Sequence, residues 1–348
     1  MSSRCVRNFL RSFGALRLAT AAFFLVAVSA QAEDLSQSKT ITLIVGGDPG
    51  GYDSYARLLQ RHWPAHVPGF PTIVVQNMPG AGGLRAADYV YEVAPKDGTV
   101  VGAGFGGLAT AQLFKIPGVR FDPRRFRWLG SMSSDVGLVL AWHTAAVKTI
   151  DDAYRHELII GGSGQTSANV VFPTVMNKVL GTKFKIVTGY KGGSDIALAM
   201  QRGEIEGVGS VYYSSLVTRN PEWLSDHLVN ILVQLSLKPH PKLPNVPVVV
   251  DLARSPEDKA LLELVFAQQQ MSRPFMLPPD TPQNVVDILQ RGFLDTLKDP
   301  ALLAEAAQQN LEINNPMSGD DIRDLLDRLY ASSSAVVARG AATAAGQL

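Results

Sequence analysis

Residues 40–63 read TITLIVGGDPGGYDSYARLLQRHW. The first six residues are rich in β-branched side chains and predict a strand. The run Gly46-Gly47-Asp48-Pro49-Gly50-Gly51 then breaks the chain. Apolar residues recur at Tyr55, Leu58, Leu59 and Trp63, the spacing of one helical face, so a helix is expected over 53–62. Asp53 is placed to cap its first turn. A strand that passes through a glycine loop into a helix is the unit of a parallel α/β sheet. The loop then lies at the carboxyl edge, where such sheets bind ligands.

The same plan repeats outward from this unit. Residues 73–76 (IVVQ) predict a strand, 77–83 (NMPGAGG) a glycine turn, and 84–93 a helix stopped by Pro95 and the Asp97-Gly98 turn. A third strand over 99–103 enters Gly104-Phe105-Gly106-Gly107. Strands are expected at 126–131 and 136–142, and a short helix at 150–155. The opening pattern then recurs. Residues 158–160 lead into 161–167 (GGSGQTS) and a helix ending near 180. Residues 184–187 lead into 188–193 (TGYKGG) and a helix over 194–202, and a strand at 205–211 follows. Beyond a proline-rich loop at 239–244, helices are expected at 256–266, 282–297, 299–309 and 320–336, with one strand at 273–277. The last eleven residues (ARGAATAAGQL) are expected to fray.

Glycine loops at strand ends carry the chemical signal. They let backbone N–H groups approach a ligand, and the helix behind each adds partial positive charge. Such loops bind anions without Lys or Arg. Four of them facing one another across a cleft between two lobes would hold a carboxylate from both sides. Tyr52, Phe105, Tyr190, Tyr212 and Tyr213 stand beside these turns, suited to stacking or to hydrogen bonding. Lys191 is the one cation inside a glycine loop, placed either to pair with a carboxylate or to be solvated.

Other chemistries leave weaker traces. Gly102–Gly107 satisfies G-x-G-x-x-G with Asp122 following, which keeps an exported flavin- or NAD-dependent oxidoreductase open as an alternative. The short strand before it and the position of two strand–helix units upstream weigh against that reading. No G-x-S-x-G, P-loop or H-E-x-x-H occurs. His62 and His66 share helical spacing, but Pro64 lies between them. Asp151-Asp152 and Asp320-Asp321 fall where helix first turns are expected, as capping residues do. No catalytic residue, metal or cofactor is expected.

The chain has 348 residues, 46% of them hydrophobic, a net charge of +1 and one cysteine. Near-zero charge argues against nucleic-acid binding, and a lone cysteine against a disulfide framework. Residues 1–32 read as a secretory signal peptide. Arg4, Arg7, Arg11 and Arg17 precede an apolar run over 19–28, and Ala30-Gln31-Ala32 has the small-x-small pattern of a cleavage site. Removal takes the cysteine and leaves a slight acidic excess. The remainder suits two lobes of ordinary domain size.

ITLIVGGDPGGYDSYAR (41–57), VVQNMPGAGG (74–83), APKDGT (94–99), GGSGQTS (161–167) and GYKGGSDIALAMQR (189–202) fall in the order of one family. The chain resembles the periplasmic solute-binding proteins of tripartite tricarboxylate transporters, of the TctC or Bug type, over nearly its whole mature length. The resemblance implies a two-lobed, type II periplasmic-binding-protein fold. Each lobe is then a mixed sheet flanked by helices, with the ligand cleft between lobes. Its implied division is 33–138 plus 240–348 for lobe 1 and 139–239 for lobe 2. It implies a non-catalytic, monomeric periplasmic protein that captures a small mono- or dicarboxylate by lobe closure and delivers it to membrane permease subunits. A ligand-presenting partner of a signalling receptor is the alternative. Carried onto this chain, the first-lobe ligand residues are Pro49, Gly50, Gly51, Gly80, Ala81, Gly82, Gly83, Gly104, Phe105 and Gly106. The second lobe supplies Ser163, Gly164, Gln165, Thr166, Ser167, Tyr190, Lys191 and Gly192, and Tyr52 and Tyr212 join the site as aromatics beside its turns. Two departures stand out. The Gly51-Tyr52-Asp53 segment is one residue shorter than the family pattern. Asp48 stands where an uncharged residue is usual, and a carboxylate there would repel an anion unless it points away or caps a helix.

Overall fold

A computed structural model describes residues 40–47, 49–104, 107–164 and 167–344. The expected leader and the expected site residues Phe105, Gly106, Gln165 and Thr166 lie outside them, as does Asp48.

Strand β1 (Thr40–Val45) sits between β2 (Thr72–Asn77) and β3 (Val100–Ala103), parallel to both, with Thr42 opposite Val74 and Val100. Its side chains alternate between two covered faces. Ile41, Leu43 and Val45 pack with Tyr55, Leu58 and Leu59 of the helix Gly51–His62. Ile44 packs on the opposite side with Leu84, Ala87 and Val90 of the helix Leu84–Glu92. Burial on both faces explains why TITLIV is apolar nearly throughout.

After β4 (Arg127–Ser131) the chain leaves this sheet and enters a second one through β5 (Gly137–Trp142). The second sheet adds β6 (Leu158–Gly162), β7 (Phe184–Thr188), β8 (Gly207–Tyr212) and β9 (Val229–Leu235). The chain then returns to the first sheet as β10 (Pro274–Leu277), and β11 (Met317–Ser318) completes it. Strand orders are β11-β4-β10-β3-β1-β2 and β7-β6-β8-β5-β9. Each sheet is mixed in the same way. A parallel half (β2-β1-β3, and β7-β6-β8) adjoins antiparallel strands, β10 beside β3 and β5 beside β8. This is the two-lobed arrangement expected of the fold class. Among the described residues, no helix is long and apolar enough to cross a membrane.

Local readings met different outcomes. The acidic pairs do cap helices. Thr149 and Asp152 form a reciprocal capping box, as do Ser318 and Asp321. Asp53 does not cap. Gly50 occupies the N-cap position, and the Asp53 carboxylate takes Arg57 Nε at 2.8 Å instead. The expected helix over 320–336 is two, Gly319–Tyr330 and Ser334–Ala344. The second corrects the expectation of a frayed tail as far as Ala344; residues 345–348 lie outside the described residues. It packs against the helices Ala168–Leu180 and Pro256–Phe266, pairs Arg339 with Asp258, and sets Gly340 where a Cβ would meet the Phe114 ring at 2.6 Å. Residues 213–238, for which the sequence reading assigns no element, hold the helix Tyr213–Arg219 and β9.

Candidate functional site

The carboxyl ends of β1, β2 and β3 place three loops on one edge of the first sheet. Asn77 Nδ2 donates to the Gly47 carbonyl at 2.9 Å and Met78 N to the Val45 carbonyl at 2.8 Å, which ties the first loop to the second. The N-M-P-G-A-G-G turn then runs through Gly80, Ala81, Gly82 and Gly83 at φ of 139°, 48°, 65° and 99°. Four consecutive positive φ values need glycine at most of these positions. The path turns the backbone sharply before Leu84 starts its helix.

The second sheet presents the loops after β6 and β7. Ser163 N donates to Asn169 Oδ1 at 3.0 Å, Gly164 N to Ser167 Oγ at 3.2 Å, and Ser167 Oγ to the Gly164 carbonyl at 2.5 Å. Asn169, absent from the sequence-based set, therefore organises this loop together with Ser167. The amides of Ser163 and Gly164 are occupied within it. Gly192 is the N-cap of the helix Gly193–Gln201, and the Lys191 amide donates to Asp195 at 3.3 Å. The Lys191 side chain is exposed, Tyr190 is half-buried, and Tyr213 turns away to stack on His240 at 4.6 Å.

The two loop sets meet. A Cβ on Gly164 would stand 3.6 Å from Gly82 N, and one on Gly51 would overlap Ser215 Oγ at the start of the helix Tyr213–Arg219. Gly104, at φ 62°, lets the third loop press on the Tyr52 ring. Tyr52 from the first sheet's side and Tyr212 from the end of β8 meet edge-on at 6.2 Å. Pro49, Gly50 and Gly51 lie beside them at the mouth of the first helix.

A charged cluster that sequence reasoning missed stands behind these tyrosines. Arg273, 1% exposed, precedes β10, where the chain re-enters the first sheet; Asp135 precedes β5, where it enters the second. Arg273 Nη2 donates to Asp135 Oδ2 at 3.0 Å and to Ser214 Oγ at 2.8 Å, while Ser214 Oγ donates to Asp135. The guanidinium lies 4.3 Å from the Tyr212 ring centroid, 4.7 Å from Tyr55 and 5.1 Å from Tyr52. Burial opposes the guanidinium charge, but Asp135 and the three tyrosines reverse the effect and hold it cationic. Burial pushes the Asp135 carboxyl up, and Arg273 and Ser214 offset this only in part. Burial also raises the Tyr52 phenol, and raises Tyr212 well above its ordinary value, so both remain neutral hydroxyls. The only local hints were an Arg opening the apolar strand RPFML and a single Asp before the buried strand GLVLAW. Charges at such places need a partner.

Between the loops lies a cavity of about 10 Å³, walled by Leu108 from the first side, Phe172 from the second, Tyr212, and the returning segment at Gln268 and Gln269. Among the described residues, no group of three or more potential metal ligands occurs. His62 and His66 pair instead with Glu305 and Asp299, at 2.6 Å and 2.9 Å. Behind the Gly102–Gly107 stretch the helix is a single turn, Leu108–Ala111.

The family model described as tripartite tricarboxylate transporter family receptor, TctC, matches residues 69–340. The chain belongs to this family. Among curated proteins, the UPF0065 protein in the tcbD-tcbE intergenic region of Pseudomonas sp. (strain P51) is 25% identical over 319 residues, covering 86% of this chain and 80% of that one. Among solved structures, R. palustris Rpa4515 with adipate superposes with a TM-score of 0.67 at 20% identity, over 87% of this TctC-family chain and 97% of its own. MatC from Rhodopseudomonas palustris with bound malate also gives 0.67, at 19% identity, over 86% and 99%. The periplasmic binding protein BugD gives 0.65 at 19% identity, over 84% and 94%. At these identities the structural likeness speaks for the fold of this TctC-family chain, and the profile match for its family.

Proposed function

We propose that this protein is a periplasmic receptor that captures a small organic acid between its lobes and hands it to the membrane subunits of a tripartite transporter. One observation carries the reading: backbone-rich glycine loops from two sheets converge on each other across one cleft, Gly164 against Gly82. The amide of Gly104 donates to the Pro274 carbonyl at 3.0 Å, whereas those of Gly50 and Gly51 at the start of the first helix and of Gly80 and Gly82 in the second loop would meet a carboxylate. Tyr52, Tyr190 and Tyr212 flank it, and no chemical step is asked of any side chain. Arg273 is already neutralised by Asp135, so the anion is met by peptide dipoles. Family membership and the adipate and malate found in two structural relatives support the choice of ligand class. The arginine-rich leader supports export. Capture works by population shift, the ligand favouring the closed form. The lobes would pivot where the chain passes between sheets, near Asp135 and Arg273.

Isothermal titration calorimetry of the purified mature chain against mono- and dicarboxylates tests this directly. Saturable binding of at least one is the expected outcome. Binding of flavin or nucleotide with no response to any carboxylate would overturn the reading.

A further inference from the structure

Gln268 and Gln269 belong to the 3₁₀ turn Ala267–Met271, which follows the helix Pro256–Phe266 and leads to Arg273. Both line the cavity, at 8% and 4% exposure. Each also keeps a buried polar atom with no hydrogen-bond partner among the described residues, Oε1 of Gln268 and Nε2 of Gln269. A buried amide oxygen or N–H left unpaired costs roughly 1–3 kcal/mol, so two residues of one cavity lining that each carry such an atom leave a demand for a hydrogen-bonding group there.

The orientation of Gln268 is pinned. Its Nε2 donates at 2.9 Å to the Val265 carbonyl, one of the last carbonyls of the helix, which lacks an intrahelical partner. Rotating the amide would set Oε1 against that carbonyl, so the free atom is an acceptor. Gln269 is seated by its backbone, whose carbonyl accepts from Asp135 N at 3.3 Å. Its side chain fills the notch over Gly137, where a Cβ would come within 2.5 Å of Nε2. The inner end of the cleft thus offers one fixed acceptor and one donor, beside the apolar walls of Leu108, Phe172 and Met271. None of the residues lining this cavity is a Lys or Arg.

We infer that Gln268 and Gln269 select the ligand's far end, and that this end is an uncharged group which both donates and accepts hydrogen bonds, a hydroxyl or a primary amide. The assignment rests on the carboxylate-capture reading and narrows its substrate class to hydroxy or amide monocarboxylates. A second ionised carboxylate would bring an acceptor against the pinned oxygen of Gln268 and bury a charge where Arg273, behind Tyr212, is already paired with Asp135. An alkyl end would leave both glutamine atoms unpaired.

The test is calorimetric titration with four probes matched in length: succinamate, γ-hydroxybutyrate, succinate and butyrate, then the glutarate- and adipate-length sets. In the unaltered protein, succinamate and γ-hydroxybutyrate are expected to bind about tenfold tighter than succinate or butyrate. Gln269→Leu, which breaks no side-chain hydrogen bond among the described residues, and Gln268→Met are each expected to shrink the ratio of succinamate to butyrate affinity towards one. Thermal melts check that both variants are folded. Succinate binding as tightly as succinamate, or a ratio unchanged in both variants, overturns the assignment while leaving carboxylate capture standing. If no carboxylate of any length binds, capture itself has failed and the assignment with it.

Discussion

Gly51 and Ser215 touch across the cleft with no room for another atom, so the pair reports on closure. Gly51→Ala places a methyl group onto Ser215 Oγ, and lobe opening would relieve that overlap. Ligand affinity should fall at least several-fold while the unfolding midpoint stays within about 0.5 kcal/mol of the unaltered protein. Ser215→Ala in the same chain removes the obstructing oxygen; the next atom, Ser215 Cβ, stands 3.5 Å away. Affinity should then return, and failure of that rescue in a titration would refute the contact as a closure element. Arg273 predicts a different response. Arg273→Met strands a buried Asp135 and should cost about 3–5 kcal/mol in urea unfolding, whereas Arg273→Met with Asp135→Leu should cost less than the single change. The difference in legibility between the two sites is physical. Glycines at strand ends are visible because a backbone requirement is written locally. The Arg273–Asp135 pair spans 138 residues of chain, and only folding brings its halves together. Asn169 was hidden for another reason: it accepts from the Ser163 amide and the Ser167 hydroxyl of a loop whose glycines drew the attention.

Elements add their own tests. The helix Pro300–Gln308 is fastened to the helix Gly51–His62 and the turn after it. Arg61 and His62 hold Glu305, and His66 holds Asp299. The hydrogen bonds from Arg61 and then His62 depress the Glu305 pKa below its ordinary 4.5, and His66 depresses Asp299 below 3.8. A depressed carboxyl pKa gives stability that is fully present above the unfolded-state value and lost as pH falls through the folded-state one. Thermal melts of Glu305→Gln and the unaltered protein should therefore differ at neutral pH and converge as pH drops below about 4. Equal melting temperatures at neutral pH would remove this pair from the account of stability. Removing residues 334–348 should lower the melting temperature, because it uncovers Phe114 and Leu261 and frees Asp258 from Arg339. The tail's composition had pointed the other way. Alanine is the strongest helix former, and Gly340 serves close packing on Phe114 instead of flexibility. By contrast TITLIV and the runs into GGSGQTS and TGYKGG were readable, since the two halves of each motif are contiguous. Strand β9 (VNILVQL) went unread because its pairing with β5 is set by a distant partner.

For the molecule as a whole, capture means a change in shape. Small-angle scattering should show a smaller radius of gyration with saturating ligand than without, and Gly51→Ala should blunt the change. The α/β class followed from alternation and loop position, both of which survive in a single sequence, and the two-lobed fold from the family resemblance. How the lobes share the C-terminal segment did not. The second sheet runs from Gly137 to Leu235, yet the helices Pro256–Phe266 and Ser334–Ala344 pack on its helix Ala168–Leu180. Mixed contacts of this kind, as between Phe172 and Phe266 at 4.8 Å, leave no periodic trace in either segment.

Gly164 faces the backbone of Gly82 so closely that a Cβ on it would already touch Gly82 N, at 3.6 Å. On the proposed function, a molecule held behind these loops would leave when the lobes part, and its residence time would follow how often the liganded lobes open. If the proposed hand-over at a membrane holds, such a contact would act as a door whose timing a docking partner could take over.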